Sequence, residues 1–349
     1  MHPVNTPTKV YILGAGCSIC GGYPAAKDVA AGLQKFAEQL SATEAPKLKT
    51  CVEQTCALLT QHKVETIDAL AKILGDNERD TVKAAKIAMS AYFFSLEDES
   101  VHRAYPKYAA FFDELFRYGE NPTPSLEDRI KATPCRVLTY NYDRLFERAF
   151  IKWAEREDPS IESIREGIIP FLNSGLGSPQ KIKIVTGQFS FLKLHGGIGQ
   201  SHRSGDPNFD HLYWPPLDKP IPAELTNDNY YQRKGRESDE PTIIFPNEKR
   251  NPDEPNGGAL FKGYLEIWKE ARKFCTHATE IHIVGYSVQA IDYFWFKTLL
   301  KNTPSDARII IRNRHTEKDR LERRLQGIKE EFRKEWKIEF IAEDFFGIR

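Results

Sequence analysis

The chain has 349 residues, 40% of them hydrophobic and 28% charged, with 49 Lys and Arg against 49 Asp and Glu. That neutral balance excludes a bulk electrostatic case for binding nucleic acid or a membrane surface. The length suits about two domains, whose core needs neither disulfide nor metal.

Val10–Leu13 reads as a buried first strand, and Pro24 opens a helical pattern running to about Leu40, because its fixed φ suits a first helical position. From residue 41 to about 130 Ala, Leu, Lys and Glu dominate, and Leu58, Ile67, Leu70, Ile73 and Leu74 recur at helical spacing. Val82–Phe94 and Tyr105–Tyr118 read as further helices, so this stretch is expected to be an all-helical insertion. Leu58, Ile67, Leu70, Leu74, Phe93, Phe94 and Phe112 either form a bundle core or pack in part against another copy or a partner. Arg136–Thr139 restarts the sheet and Arg144–Trp153 is the helix after it. Ser174–Gln180 is loop, and Ile182–Val185 and Phe189–Leu194 are short strands of a possible hairpin. Residues 197–257 form a long, mostly irregular excursion holding one strand, Thr242–Phe245. Then come helix Gly258–Cys275, strand Ile281–Val284, helix Ile291–Leu300, strand Arg308–Ile311, helix Glu317–Glu335 and strand Ile338–Ile341. The alternation predicts an α/β fold, a Rossmann-like doubly wound parallel sheet with an all-helical insertion. Residues 1–40 and 131–349 would form the sheet domain and 41–130 the insertion.

Polar clusters follow four of the apolar strands: Gly14-Ala15-Gly16-Cys17-Ser18, Tyr140-Asn141-Tyr142-Asp143, His195-Gly196 and Gly285-Tyr286-Ser287. In an open α/β sheet ligands bind outside the carboxyl ends of the strands, so these clusters are expected to face one pocket. Gly14-Ala15-Gly16 suits a phosphate-binding turn or a tight βα turn with no ligand; the third glycine of the dinucleotide fingerprint is missing at Ile19. Asn141 could orient a water or ribose hydroxyl, or cap the next helix. His195, followed by two glycines, suits a base near neutral pH or a structural histidine; His202 and His211 are weaker candidates. Asn313 ends a later strand, where it could read an adenine or ribose edge or serve the turn.

The six cysteines, at 17, 20, 51, 56, 135 and 275, make no disulfide framework and no closed set of four metal ligands. They fit a reducing compartment. The first ten residues carry no signal-peptide core, and no apolar run approaches membrane-spanning length. The expectation is a cytoplasmic protein with no metal site.

Taken together and in this order, the segments resemble the sirtuin (silent information regulator two) family. The family's Gly-Ala-Gly-x-Ser and Gly-x-Pro match residues 14–18 and Gly22-Tyr23-Pro24; its Thr-Gln-Asn-x-Asp matches Thr139 to Asp143 with Tyr140 in place of Gln. Its His-Gly matches His195-Gly196, its Gly-x-Ser matches Gly285-Tyr286-Ser287, and its adenosine-side Asn matches Asn313. The family's zinc module lies between His-Gly and Gly-x-Ser, where this chain has no cysteine, and Ala25-Ala26-Lys27 replaces the aromatic-Arg pair after Gly-x-Pro. With these departures the chain resembles the divergent prokaryotic sirtuin-like proteins that hydrolyse NAD in anti-phage defence.

The resemblance implies an NAD glycohydrolase with NAD as substrate and no zinc. Gly14, Ala15, Gly16, Ser18 and Ser287 would hold the phosphates, Asn313 the adenosine end and Asp143 the carboxamide, with Pro24, Tyr140 and Gly285 completing the site. Asn141 would position water or a ribose hydroxyl, and His195 would be the base. The alternatives are a protein deacylase or ADP-ribosyltransferase using the same site, and a non-catalytic NAD-sensing assembly subunit. Family context also implies a homo-oligomer or a separate HerA-type ATPase as regulator.

Overall fold

The computed structural model describes residues 8–43, 45–74, 78–117, 124–159, 189–203, 239–243, 245 and 262–342. Six parallel strands form the main sheet: β1 (Lys9–Leu13), β2 (Cys135–Thr139), β3 (Ser190–Lys193), then β6 (Glu280–Val284), β7 (Arg308–Asn313) and β8 (Lys337–Ala342). Their spatial order is β3-β2-β1-β6-β7-β8, the doubly wound arrangement expected from the alternation of elements. The central strands are buried on both faces, which is why they read as continuous apolar runs.

The two faces make two cores. Tyr11, Leu13, Val137 and Phe191 point into one, Val10, Ile12, Leu138, Ile281, Ile283, Ile309 and Ile311 into the other. The second face is covered by α8 (Lys262–Thr276), α9 (Tyr293–Leu300) and α10 (Lys318–Glu331), through residues such as Trp268, Phe296 and Leu325. The first face meets α2 (Val29–Gln39), α3 (Pro46–Gln61), α4 (Ile67–Leu74), α5 (Arg79–Leu115), α6 (Leu126–Ala132) and α7 (Leu145–Glu157). A short α1 (Gly16–Ile19) follows β1.

The region expected to be an insertion holds α3, α4, α5 and the start of α6, joined by short turns where described, and shares one core with the sheet. Phe112 of α5 packs edge-on against Phe146 and Phe150 of α7, at 5.2 and 5.1 Å between ring centroids. Of the apolar positions considered for an outside partner, Ile67, Leu70, Phe93, Phe94 and Phe112 are buried in this core, while Leu58 and Leu74 pack partly buried against it. They serve the fold and carry no separate argument for an interface.

Several boundaries differ from expectation. The two helices expected within 82–118 are one 37-residue helix, α5, which passes through Pro106. Pro106 is exposed, so water can take the carbonyl its missing N–H leaves open. The helix expected from Pro24 starts at Val29, after a 3-10 turn at Ala26–Asp28. The excursion after Gly196 begins as an ordered ribbon, β4 (Gly196–Arg203) paired antiparallel with β5 (Asp239–Ile243), with a register shift between Gly196 and Ser201. Ser174–Gln180, Ile182–Val185, His211 and most of the excursion lie outside the described residues. Among the described residues, no helix is long and apolar enough to cross a membrane.

Candidate functional site

The sheet changes winding direction between β1 and β6, where a doubly wound sheet opens its crevice. The segments leaving these strands touch. A Cβ on Gly14 would lie 2.4 Å from the Tyr286 Cα, so glycine is required there by the chain itself. Gly285 adopts φ +59°, which glycine tolerates without strain. The N–H groups of Gly14, Gly16, Cys17 and Ser18 donate to Val284, Gly285, Gly14 and Ala15 carbonyls at 2.8–3.0 Å. The turn is thus held by its own hydrogen bonds. Ala15 is exposed, Gly16 and Ser287 are half-buried, and these three bring the small-residue turns to the surface.

Asn141 stands at the end of β2, 9% exposed, and its Nδ2 donates to Ser18 Oγ at 3.0 Å. Ser18 Oγ donates in turn to Asp143 Oδ2 at 2.7 Å, and Asp143 Oδ1 accepts from the Leu145 N–H at 2.9 Å. This chain runs from α1 through the β2 end to the first turn of α7. It fixes the Asn141 amide and leaves its buried Oδ1 without a hydrogen-bond partner among the described residues. Lys193, at the end of β3, donates to Glu147 Oε1 at 2.8 Å and to the Asp143 carbonyl. Burial pushes the Asp143 and Glu147 carboxyls up, and the Lys193 charge opposes both shifts.

His195 lies two residues past the end of β3, after Leu194, and is 3% exposed. Gly196, at φ +65°, turns the chain into β4. The His195 ring meets Tyr140 edge-on at 4.8 Å and lies 5.7 Å from Tyr142. Tyr140 stacks on Tyr286 at 4.1 Å, so the polar segments after β2, β3 and β6 converge. Burial raises both phenols well above the usual range, and the Asp292 charge adds to it. Asp292 lies 3.5 Å from His195, Oδ1 to Nε2, on the segment after β6. That segment holds Val288, buried, at φ +46°. A β-branched residue there costs about 1–3 kcal/mol, kept only where packing over-determines it.

The remaining sequence candidates take supporting places. Asn313 donates from Nδ2 to the Tyr286 carbonyl at 3.2 Å and accepts the Arg314 N–H at 2.8 Å, so it holds the loop after β6. Pro24 is half-buried beyond α1, and His202 lies on β4. Three contacts tie the helical region to the site. Tyr108 donates to the Cys17 carbonyl at 3.3 Å, Tyr142 donates to Asp68 at 3.0 Å, and Arg144 donates twice to Glu97 at 2.7 and 2.6 Å. Asp68, Glu97, Glu147 and Asp292 were not singled out by sequence reasoning. Their partners are mostly distant in the chain, and an Asp opening a helix looks like a cap.

Among the described residues no group of three His, Cys, Asp or Glu side chains is arranged to hold a metal ion. No family model matches the chain, and no curated protein matches it. Solved structures similar to it include Sir2Tm bound to a propionylated peptide, at 14% identity and TM-score 0.36, covering 88% of this chain and 82% of that one. A Sir2–p53 peptide–NAD+ complex aligns at 13% identity and TM-score 0.35, covering 94% of each chain. A Sir2 complex with the inhibitor EX-527, 2'-O-acetyl-ADP-ribose and a deacetylated p53 peptide aligns at 13% identity and TM-score 0.34, over 87% of this chain and 80% of that one. Likeness at this level assigns no role to any side chain of the cleft.

Proposed function

We propose that the chain is a sirtuin-like NAD glycohydrolase, cleaving the nicotinamide–ribose bond to give nicotinamide and ADP-ribose. The observation that carries this reading is the Asn141 amide, locked through Ser18 with its Oδ1 unspent, between Tyr140 and Tyr142, whose rings meet the buried His195 imidazole. Cleavage of a glycosidic bond passes through an oxocarbenium-like transition state. The bond to nicotinamide breaks with its electron pair going to the pyridine nitrogen, and water adds to the ribose carbon. Asn141 Oδ1 accepts a hydrogen bond from that water or from a ribose hydroxyl and so fixes its position. His195 takes the proton released as the new bond forms. Ala15 and Ser287 are the turn residues available to the pyrophosphate, because the N–H groups of Gly14, Gly16 and Ser18 are spent within the turn. Ser18 and Asp143 act by orienting Asn141.

Uncontrolled hydrolysis would drain the NAD pool, which suits an effector of anti-phage defence. The proposal therefore includes gating, by assembly of copies of this chain or by a separate partner such as a HerA-type ATPase.

The test is NAD turnover by purified protein and two variants. Asn141→Ala should abolish cleavage while the fold is retained. His195→Ala should lose at least about a hundredfold in rate, the low end for a general base, while still binding NAD. Near-wild-type turnover by Asn141→Ala would reduce that residue to a structural part of the turn and defeat the reading.

A further inference from the structure

Asp292 occupies the cap position of α9, yet its side chain makes no capping hydrogen bond there. An Asp at this position ordinarily accepts a backbone N–H of the first turn. Here Oδ1 lies 3.5 Å from His195 Nε2, and both side chains are more than nine-tenths buried. Tyr140 meets the His195 ring edge-on and stacks on Tyr286 beside it. Once the imidazole takes a second proton, opposite charges so placed interact far more strongly than in water. A distance of 3.5 Å is a charge-pair separation, and catalytic contacts of this kind tighten when substrate fills the site.

We infer that Asp292 is a positioning residue for His195: its carboxylate holds the Nε2–H, fixes the imidazole tautomer and leaves Nδ1 as the nitrogen that accepts the proton. The inference rests on His195 acting as the base in the reaction proposed above. In the step itself the O–H bond of the water or ribose hydroxyl breaks, its electron pair stays on oxygen and an N–H bond forms at Nδ1. The imidazolium then carries a proton on each nitrogen, and Asp292 balances its charge through Nε2–H. The strained backbone at Val288, four residues before Asp292, is where this segment departs from ordinary geometry to deliver the carboxylate.

Ring 15N spectra of the labelled full-length protein at neutral pH give the first readout, with the His195 signals assigned by their loss in His195→Gln. The expected result is the Nε2–H tautomer in the wild type and a mixture of tautomers in Asp292→Ala. A wild-type His195 carrying its proton on Nδ1 overturns the inference, and that result needs no variant to fold. The second readout is steady-state kinetics of Asp292→Asn, which keeps the shape and removes the charge. Its kcat should fall at least about tenfold with KM within about twofold, the signature of a contact made in the transition state. An unchanged kcat overturns the inference. If the tautomer is as expected and no NAD is cleaved, the placement of His195 by Asp292 stands and the hydrolase reading fails.

Discussion

Replacing Glu97 with Gln should destabilise the protein strongly and weaken the site with it. Glu97 and Arg144 are 2% and 3% exposed, and the guanidinium makes two parallel hydrogen bonds to the carboxylate. Arg148 stands 3.8 Å from the same carboxylate but also reaches Asp98. Glu97→Gln turns one acceptor into a donor facing a cation and leaves Arg144 buried without its counter-charge. Breaking a buried pair in this way costs about 3–5 kcal/mol. At roughly 2 °C per kcal/mol for a chain of this size, the midpoint should fall by about 6–10 °C. Arg144 sits between Asp143, which holds Ser18, and Leu145, which opens α7, so NAD turnover should fall as well. Denaturant titration of the wild type, Glu97→Gln and the double variant Glu97→Leu with Arg144→Met gives the decisive comparison. The double variant should recover most of the loss, because apolar replacement of a whole buried pair is often neutral or better. A Glu97→Gln within about 1 kcal/mol of wild type, or a double variant no better than the single one, would refute the reasoning.

Gly14→Ala should destabilise by about 1–3 kcal/mol, the range for forcing extra atoms into a packed site, because its Cβ meets the Tyr286 backbone; equal stability in urea would show that the turns do not touch. Stability should also fall on mild acidification through His282. Burial lowers its pKa from 6.5 to about 4, with the Glu280 hydrogen bond at 2.5 Å only partly opposing the shift. In that window the unfolded chain binds a proton that the folded chain refuses, so stability is present above pH 6.5 and is lost as pH falls toward about 4, by up to about 3 kcal/mol. Urea midpoints measured across this range should depend less on pH in His282→Phe than in wild type, and identical slopes would count against the assignment.

The sheet was legible because central parallel strands are buried on both faces and leave unbroken apolar runs such as Val10–Leu13 and Ile281–Val284. The positions of Asn141 and His195 near strand ends were legible because each comes two residues after such a strand. The Ser18 contact was not legible, since a hydrogen bond across 123 residues to Asn141 leaves no local trace in the sequence. Asp292 was hidden by an ordinary local explanation, the start of a helix. One long helix looked like two because residues 95–104 are mostly polar and break the apolar spacing, whereas Glu97 and Ser100 in that stretch are buried, a tertiary fact. Of the β4–β5 ribbon only the second strand was expected, as Thr242–Phe245 where the structure has Asp239–Ile243; β4 is polar and rich in Gly and has no apolar run to mark it.

The most direct measurement of the central claim is a time course of NAD, nicotinamide and ADP-ribose with the purified full-length protein, run across protein concentrations and with or without an acyl-lysine peptide. The account predicts that NAD disappears with equimolar release of nicotinamide and ADP-ribose, at a rate independent of the peptide. Intact NAD at every protein concentration, or consumption only when the peptide is present, would contradict it.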